Sequence, residues 1–248
     1  DGTVSANDCF RPVSRYFDRL TRAEQVVPAL QRAMAVLTDP AECGPVTLSF
    51  CQDVQTEAFD VPQSFFDERV WMPRRPGPDT RELAAAADLL QRAARPLIIA
   101  RGGVLYAEAV DALLRLADQY AIPVAETQAG KSAMPDPHPL NLGAIGVTGT
   151  AAANAIAETA DVVLCIGTRL QDFTTGSWAL FAGEGVRLVS LNVAPHDAMK
   201  KGGLPVVADA KIALEALSAA LGPHRAAPPD PSLQRAWAAA VDAVTAAP

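Results

Sequence analysis

The stretch "GTRLQDFTTGSW" at positions 167–178 concentrates more hydrogen-bonding chemistry than any other part of this sequence. An apolar run, "DVVLCIG" (161–167), ends abruptly in Arg169, Gln171, Asp172, Thr174 and Thr175, with Trp178 close behind. These side chains offer donors, acceptors and both signs of charge, the set that recognises a polar ligand or a neighbouring surface. Two other loops carry related chemistry. In "RGGV" (101–104), Arg101 precedes Gly102 and Gly103, and a glycine pair lets backbone approach a phosphate or a ring closely. A tight strand-to-helix turn would use the same residues, and the motif lacks both the GxGxxG spacing and the acidic residue of a dinucleotide fingerprint. In "ETQAGKS" (126–132), Gln128 and Lys131 are polar, but a P-loop requires glycine where Ala125 stands, so Lys131 is either an anion contact or a solvated lysine. Asn192 ends a further apolar run, "VRLVSLNV". No GxSxG elbow occurs, and His138, His196 and His224 lie in loops near prolines with no paired nucleophile.

The elements that would position these loops follow from periodicity. "PLIIA" (96–100), "IPVAET" (122–127), "DVVLCIG" (161–167), "VRLVSLNV" (186–193) and "LPVVADA" (204–210) are apolar throughout rather than alternating. Helical stretches separate them: one with Val110, Leu113, Leu114 and Ala117 on one face, an alanine-rich one over about 149–159, and a last one capped by Asp209 with Leu214, Leu217 and Leu221. Buried strands alternating with helices predict a parallel five-stranded sheet covered on both faces, spanning about 78–222 and opened by a helix with Asp79 and Glu82 as caps and Leu83, Ala87, Leu90 and Ala94 inward. In such sheets ligands sit at the carboxyl ends of the strands, where all the polar loops above would converge.

The flanks are less regular. Residues 1–20 show no period. "TRAE" (21–24) predicts a capping box for a helix whose stripe is Val27, Leu30, Met34 and Leu37, and "VTLSF" (46–50) predicts a strand with no visible partner. Prolines 62, 73, 76 and 78 mark a linker, "GPHRAAPPDP" a second, and Ser232 is the expected cap of a final helix with Leu233, Trp237, Val241 and Val244 on one face.

Half of the 248 residues are apolar and a fifth charged, with a net charge of −7. That balance argues against a nucleic-acid surface, and no apolar run is long enough to span a bilayer. Cysteines 9, 43, 51 and 165 form no CxxC pair and read as reduced thiols of a cytoplasmic protein. A polar start at Asp1 and a close inside a helical pattern lead to the expectation of a piece of a longer polypeptide.

Taken in order, "GPVTLSFCQDV", "RPLIIARGGV", "IPVAETQAGKSAMPDPHPLNLGAIGVTGTAAAN", "ADVVLCIGTRLQDFTTGSW" and "LVSLNV" resemble the middle of thiamine-diphosphate-dependent enzymes of the acetolactate synthase type. The resemblance covers nearly the whole chain. It implies an α/β, Rossmann-like parallel sheet with helices on both faces, flanked by remnants of two further α/β domains. Residues 1–58 would end a pyrimidine-binding domain, 59–77 link, 78–222 form the central domain, and 223–248 lead into a diphosphate-binding domain. "NDCFRPVSRYFDR", "QDVQTEAFDVPQSFF", "ETQAGKSAMP" and "RLQDFTTGSWALF" resemble the branch that hydrolyses a cyclic 1,2-dione in inositol breakdown. Acetolactate synthases resemble it less, carrying an acidic pair and an arginine where Gln171 to Thr174 stand. Cys51 also departs from the superfamily, which places proline there.

The resemblance implies thiamine diphosphate and Mg2+ as cofactors: the cofactor carbanion attacks one carbonyl of the dione, the ring C–C bond breaks, and water completes hydrolysis. The metal motif beginning "GDG" is absent from these 248 residues and the activating glutamate would precede Asp1, so the resemblance places no catalytic residue and no metal ligand in this chain and implies that it is inactive alone. It also implies a homo-oligomer, dimer or tetramer. Some members hold a flavin or an adenine nucleotide in the central crevice, for which Arg101, Gly102, Gly103, Gln128, Lys131, Arg169, Gln171, Asp172, Thr174 and Asn192 are the candidates. An acetolactate-synthase-like enzyme and a stand-alone nucleotide-binding module are the alternatives.

Overall fold

The computed structural model describes residues 5–183, 185–223, 226–228 and 230–246; His224 and part of the "GPHRAAPPDP" linker lie outside them. The chain forms two compact units, residues 1–74 and 75–248.

In the first unit, strand β1 (Tyr16–Leu20) pairs in parallel with β2 (Val46–Phe50), Tyr16 against Val46 through Leu20 against Phe50, and helix α1 (Val26–Leu37) joins them. The strand expected to stand alone therefore has a partner, in residues that show no period. Asn7 and Ser14, on and just after a 3-10 helix at Ala6–Val13, bond across to Ser49 and Thr47. Helix α1 uses only part of the stripe its larger residues suggest: Val27 and Met34 are half-buried, while Leu30 and Leu37 are exposed. Ala29 and Ala33 are the fully buried positions and let the helix axis lie close to the two strands. The cap also differs from expectation. A 3-10 turn (Ala23–Gln25) precedes α1, and the side chain of Gln25, not Glu24, accepts from the backbone N–H groups of Thr21 (2.7 Å) and Arg22 (3.0 Å).

The second unit holds six parallel strands: β3 (Pro96–Ala100), β4 (Val124–Glu126), β5 (Asn141–Ala144), β6 (Val162–Ile166), β7 (Arg187–Asn192) and β8 (Leu204–Val207), in the order β5-β4-β3-β6-β7-β8. The expected five strands are all present, and β5 is added at an edge, at the end of the proline-bearing stretch 131–142 that reads as a loop. Residues alternate between two cores. Ile98, Ala100, Leu164 and Ile166 face helices α2 (Thr80–Gln91), α4 (Val110–Tyr120) and α8 (Ala210–Leu221). Leu97, Ile99, Val163 and Cys165 face the other side, with Ala153 and Ala157 of α5 (Ala151–Thr159) and with Leu180 and Phe181. Both faces being apolar is why the strands read as unbroken hydrophobic runs.

Short helices follow several strands: α3 (Gly102–Tyr106) after β3, α6 (Asp172–Thr175) after β6, and α7 (Pro195–Met199) after β7. Asp79 and Asp209 cap α2 and α8 as expected. Glu82 does something else: its carboxylate reaches away to accept from Val207 N–H (2.9 Å) on edge strand β8. Arg75 ties the entry of the unit down, donating to Ala107 O and pairing with Asp209 at 3.1 Å. The last helix, α9 (Pro231–Thr245), is capped by Asp230 rather than Ser232; the Asp230 carboxylate accepts from Ser232 N–H. The side chain of Val244, expected in its apolar stripe, lies outside the described residues.

All four cysteines are free thiols. Cys165 is buried in the sheet, and burial pushes its pKa up to about 12, whereas Cys9 and Cys43 are exposed. A thiol-specific reagent at pH 8 should label Cys9 and Cys43 in the folded protein and reach Cys165 only on unfolding. Peptide mapping by mass spectrometry after timed labelling measures this.

Candidate functional site

The strand order reverses between β3 and β6, whose following loops leave the sheet in opposite directions. This is the topological switch point at which open α/β sheets bind ligands. "RGGV" and "GTRLQDFTTGSW" are the two loops that border it.

Their glycines face each other. A Cβ on Gly103 would lie 2.5 Å from the Cα of Gly167, and a Cβ on Gly167 would meet Gly103 in the same way. Gly130, after β4, is pressed against the backbone of Ala100 and Arg101, its virtual Cβ 2.6 Å from Arg101 Cα. The three loops are therefore in backbone contact, and the glycine pair at 102–103 serves the turn and this contact. Gly167 also has φ +58°, a left-handed conformation, and is followed by Leu170 (φ +44°), Gly176 (+56°), Ser177 (+52°) and Trp178 (+71°). Left-handed non-glycine residues are uncommon, and three within nine positions mark a loop held in shape by its surroundings.

Those surroundings are specific. Thr168 Oγ1 accepts from Leu170 N–H at 3.2 Å, and the buried Leu170 side chain joins the core beneath. Thr175 is fully buried, its hydroxyl accepting from Trp178 N–H. Trp178 packs against Phe181 with ring centroids 6.2 Å apart and carries the Lys201 ammonium 4.7 Å from its ring centre. The glycine-rich loop after β5 abuts α6: Val147 N–H donates to Phe173 O at 2.9 Å, and Gly146 lies against Phe173 and Thr174, clamped on its other side by Asn154.

The candidate residues separate into two groups. Arg101 and Gln171 meet, Nη2 to Oε1 at 3.3 Å. Burial first, and then the guanidinium of Arg169, hold the pKa of Arg101 below the usual arginine value, with Asp197 and Tyr106 partly offsetting them. Arg169, Gln171, Asp172 and Phe173 line an open cleft of about 600 Å³, closed on its other side by Lys200 and Lys201. Neither lysine is among the candidates read from the sequence; "MKKGG" after α7 is the signal for them. Asn192 belongs to the other group. It is buried, its Nδ2 donating to Thr168 O (3.2 Å) and its Oδ1 accepting from Ala194 N–H (3.0 Å), so it braces the β6 and β7 loops from inside. Thr174 is half-buried against Gly146, and Gln128 donates to Thr148 at 3.4 Å. Lys131 is exposed and lies near Glu126.

Glu126, at the end of β4, is buried, with Oε1 accepting from Met134 N–H at 2.8 Å. It anchors the loop that carries Lys131. The adjacent Thr127 hydroxyl is buried without a protein partner. Among the described residues no cluster of three or more His, Cys, Asp and Glu side chains could hold a metal ion. The cleft gathers Arg169, Lys200 and Lys201 with Asp172, and Lys200 is paired with Asp197 at 2.7 Å; no nucleophile–base pair lies in it.

A sheet of this strand order, with polar loops gathered at its switch point, defines an open, doubly wound α/β domain. Residues 83–217 match the family described as thiamine pyrophosphate enzyme, central domain, and the chain belongs to that family. It is 47% identical over 90% of its length to a protein of Geobacillus thermodenitrificans named 3D-(3,5/4)-trihydroxycyclohexane-1,2-dione hydrolase. Proteins of the same name from Halalkalibacterium halodurans and Clostridium perfringens are 49% and 47% identical over 86% and 88% of it. The chain spans about a third of the length of these relatives (35%, 34% and 34%). Among solved structures, a protein described as a thiamin diphosphate-dependent enzyme from Mycobacterium smegmatis superposes with a TM-score of 0.69 at 26% identity, covering 91% of this chain and 43% of that one. Benzoylformate decarboxylase from Polynucleobacter necessarius shares the fold, with a TM-score of 0.68 at 21% identity, covering 92% of this chain and 41% of its own.

Two outcomes follow from this geometry. Gly103→Ala forces the β3 and β6 loops apart and should destabilise the domain by about 2–4 kcal/mol in urea unfolding. Gly77→Ala, whose new methyl would meet only Ile212 at 3.9 Å, should stay within about 0.5 kcal/mol. Burial raises the pKa of Glu126, so the folded state favours its protonated form. Its contribution to stability is then present at low pH and is lost as pH rises through the raised value. Glu126→Gln keeps the acceptor for Met134 and should remove that part of the pH dependence, seen as a wild-type minus variant stability difference that falls with rising pH.

Proposed function

We propose that this chain is the central part of a thiamine-diphosphate-dependent hydrolase that opens a cyclic 1,2-dione by C–C cleavage in inositol breakdown. The identity of 47–49% to relatives carrying that name, over 86–90% of the chain, is the observation that carries it. The 214–224 residues matched exceed the length of either unit, so the likeness extends into both. On this reading residues 1–58 complete a pyrimidine-binding domain, 59–77 link, 78–222 are the central domain and 223–248 lead onward, within a cytoplasmic homo-oligomer.

The residues present do not fit thiamine diphosphate with Mg2+: "GDG" does not occur, and the described residues contain no metal-holding cluster. Their part is architectural, a rigid rim on which neighbouring elements are placed. An adenine nucleotide or flavin in the crevice would have its anionic group met by Arg101 and Arg169, which lie near one another, with Asp197 also beside Arg101.

The test uses a polypeptide of the relatives' full length. It should hydrolyse the cyclic dione only with added thiamine diphosphate and Mg2+, followed by appearance of the open-chain acid. Formation of acetolactate from pyruvate in place of that product would overturn the proposal. The 248-residue chain titrated calorimetrically with thiamine diphosphate should show no tight binding. ADP or flavin should raise its melting temperature if the arginine pair holds an anion, and Arg169→Ala should abolish that rise.

A further inference from the structure

Residues 66–75 are exposed in unbroken succession, and 68–79 form neither helix nor strand. The stretch nevertheless ends on a built contact. Arg75 Nη1 donates to Ala107 O and to Asp209 Oδ2 (3.1 Å), and Nη2 donates to Glu108 Oε2 (3.2 Å). The following residue adds to it, Pro76 O accepting from Asp209 N–H at 2.8 Å. Asp209 is buried, and its other oxygen, Oδ1, accepts from the N–H groups of Lys211 and Ile212 at the start of α8. The two oxygens of one carboxylate therefore hold two different segments. Glu108 is largely exposed and adds little. Ala107 is where the contact reaches the crevice. It closes α3, its N–H bonded to Gly103 O at 3.1 Å. Gly103 is in turn pressed against Gly167. A single turn of α3 thus separates the Arg75 contact from the backbone contact at the switch point.

We propose that Arg75 is a positioning residue, which ties the end of the 59–77 linker to the turn behind the crevice loop so that linker and rim are held as one body. This rests on the function proposed above, for which it supplies a further residue. A guanidinium is planar and presents several donors at fixed angles, so one side chain can join three backbone segments. Asp209 keeps it there, because a buried carboxylate that loses its cation is costly to leave unpaired. Without Arg75, α3 keeps its packing through the buried Val104 and Ala107, but the linker loses its side-chain hold on the rim. A linker loose at this point lets the elements it connects sample many placements, of which only a fraction is competent. Turnover then falls, while the contacts that bind the substrate, which on that reading lie in neighbouring domains, stay the same.

The test uses a polypeptide of the relatives' full length that contains this sequence, supplied with thiamine diphosphate and Mg2+. Arg75→Met keeps the side chain's bulk without its donors. Hydrogen exchange by mass spectrometry should then speed at least about tenfold in peptides covering 105–109 and 207–210. Peptides of β6 should be unchanged, which reports that the domain is folded; if they also speed, Asp209→Asn is read in its place. On the cyclic dione, kcat should fall at least about fivefold with KM within about twofold. Asp209→Asn, which keeps the Oδ1 acceptor for the start of α8, should have the same effect, and the double variant should be no worse than either single one. Unchanged exchange at 105–109 would overturn the tie. Unchanged kcat, or a double variant whose losses multiply, would overturn the positioning role. If the unaltered polypeptide does not open the dione, the function proposed above fails, and the exchange measurement alone decides whether Arg75 holds the linker to the rim.

Discussion

The backbone contact between Gly103 and Gly167 is the constraint on which the site depends. It joins the first residues of the β3 and β6 loops at the one place where the sheet reverses its order. Any Cβ there pushes backbone against backbone, and neither side can move by a rotamer change. Gly130 extends the same contact to the β4 loop. Once these three loops touch, the directions of Arg101, Arg169 and Gln171 follow, because each lies within four residues of a pinned glycine. The left-handed conformation at Leu170 is tolerable for the same reason: its side chain is buried below and its N–H is taken by Thr168 above.

The density of polar groups after "DVVLCIG" then has a mixed explanation. Thr168, Thr175 and Asn192 are spent inside, satisfying backbone groups that a loop folded this tightly would otherwise leave buried and unpaired. Arg169, Gln171 and Asp172 point outward to the cleft. A loop needs both kinds. The inward set fixes the frame, and the outward set is worth holding in a frame only if something meets it. Trp178 belongs with the inward set, through Phe181, and uses its outer face to seat Lys201.

The sequence made the second unit legible because four of its six strands are buried on both faces or nearly so, β8 is still an unbroken apolar run, and a continuous apolar run bounded by turn residues has few other meanings. It hid β5, where "NLGA" alternates weakly and sits among prolines and glycines, and β1, where "YFDRL" carries two charges in five residues. Size does not rank burial in α1, where Leu30 and Leu37 stay exposed and Val27 and Met34 only half-buried. Ala29 and Ala33 go inward since a helix can approach a two-stranded sheet closely only on small residues. The capping errors share a cause. Asp, Glu, Gln and Ser near a helix start are interchangeable in pattern, and which one reaches the backbone is decided by tertiary neighbours, as Glu82 shows by leaving its own helix for Val207. Glycine roles were legible only as a choice between ligand and neighbour, because a missing Cβ does not say what occupies the space.

The two units leave different kinds of surface unspent. The first is a parallel pair of strands with Phe50, Leu30 and Leu37 outward, and parallel strands are rarely stable unless covered on both faces. The second ends its described structure in a helix carrying apolar side chains on a polar attachment. Neither set of side chains is fully covered among the described residues. Relatives about three times as long have chain to cover them. On the reading proposed above, the cleft at the switch point is where this chain meets a ligand or a neighbouring segment, and not where the C–C bond is cut.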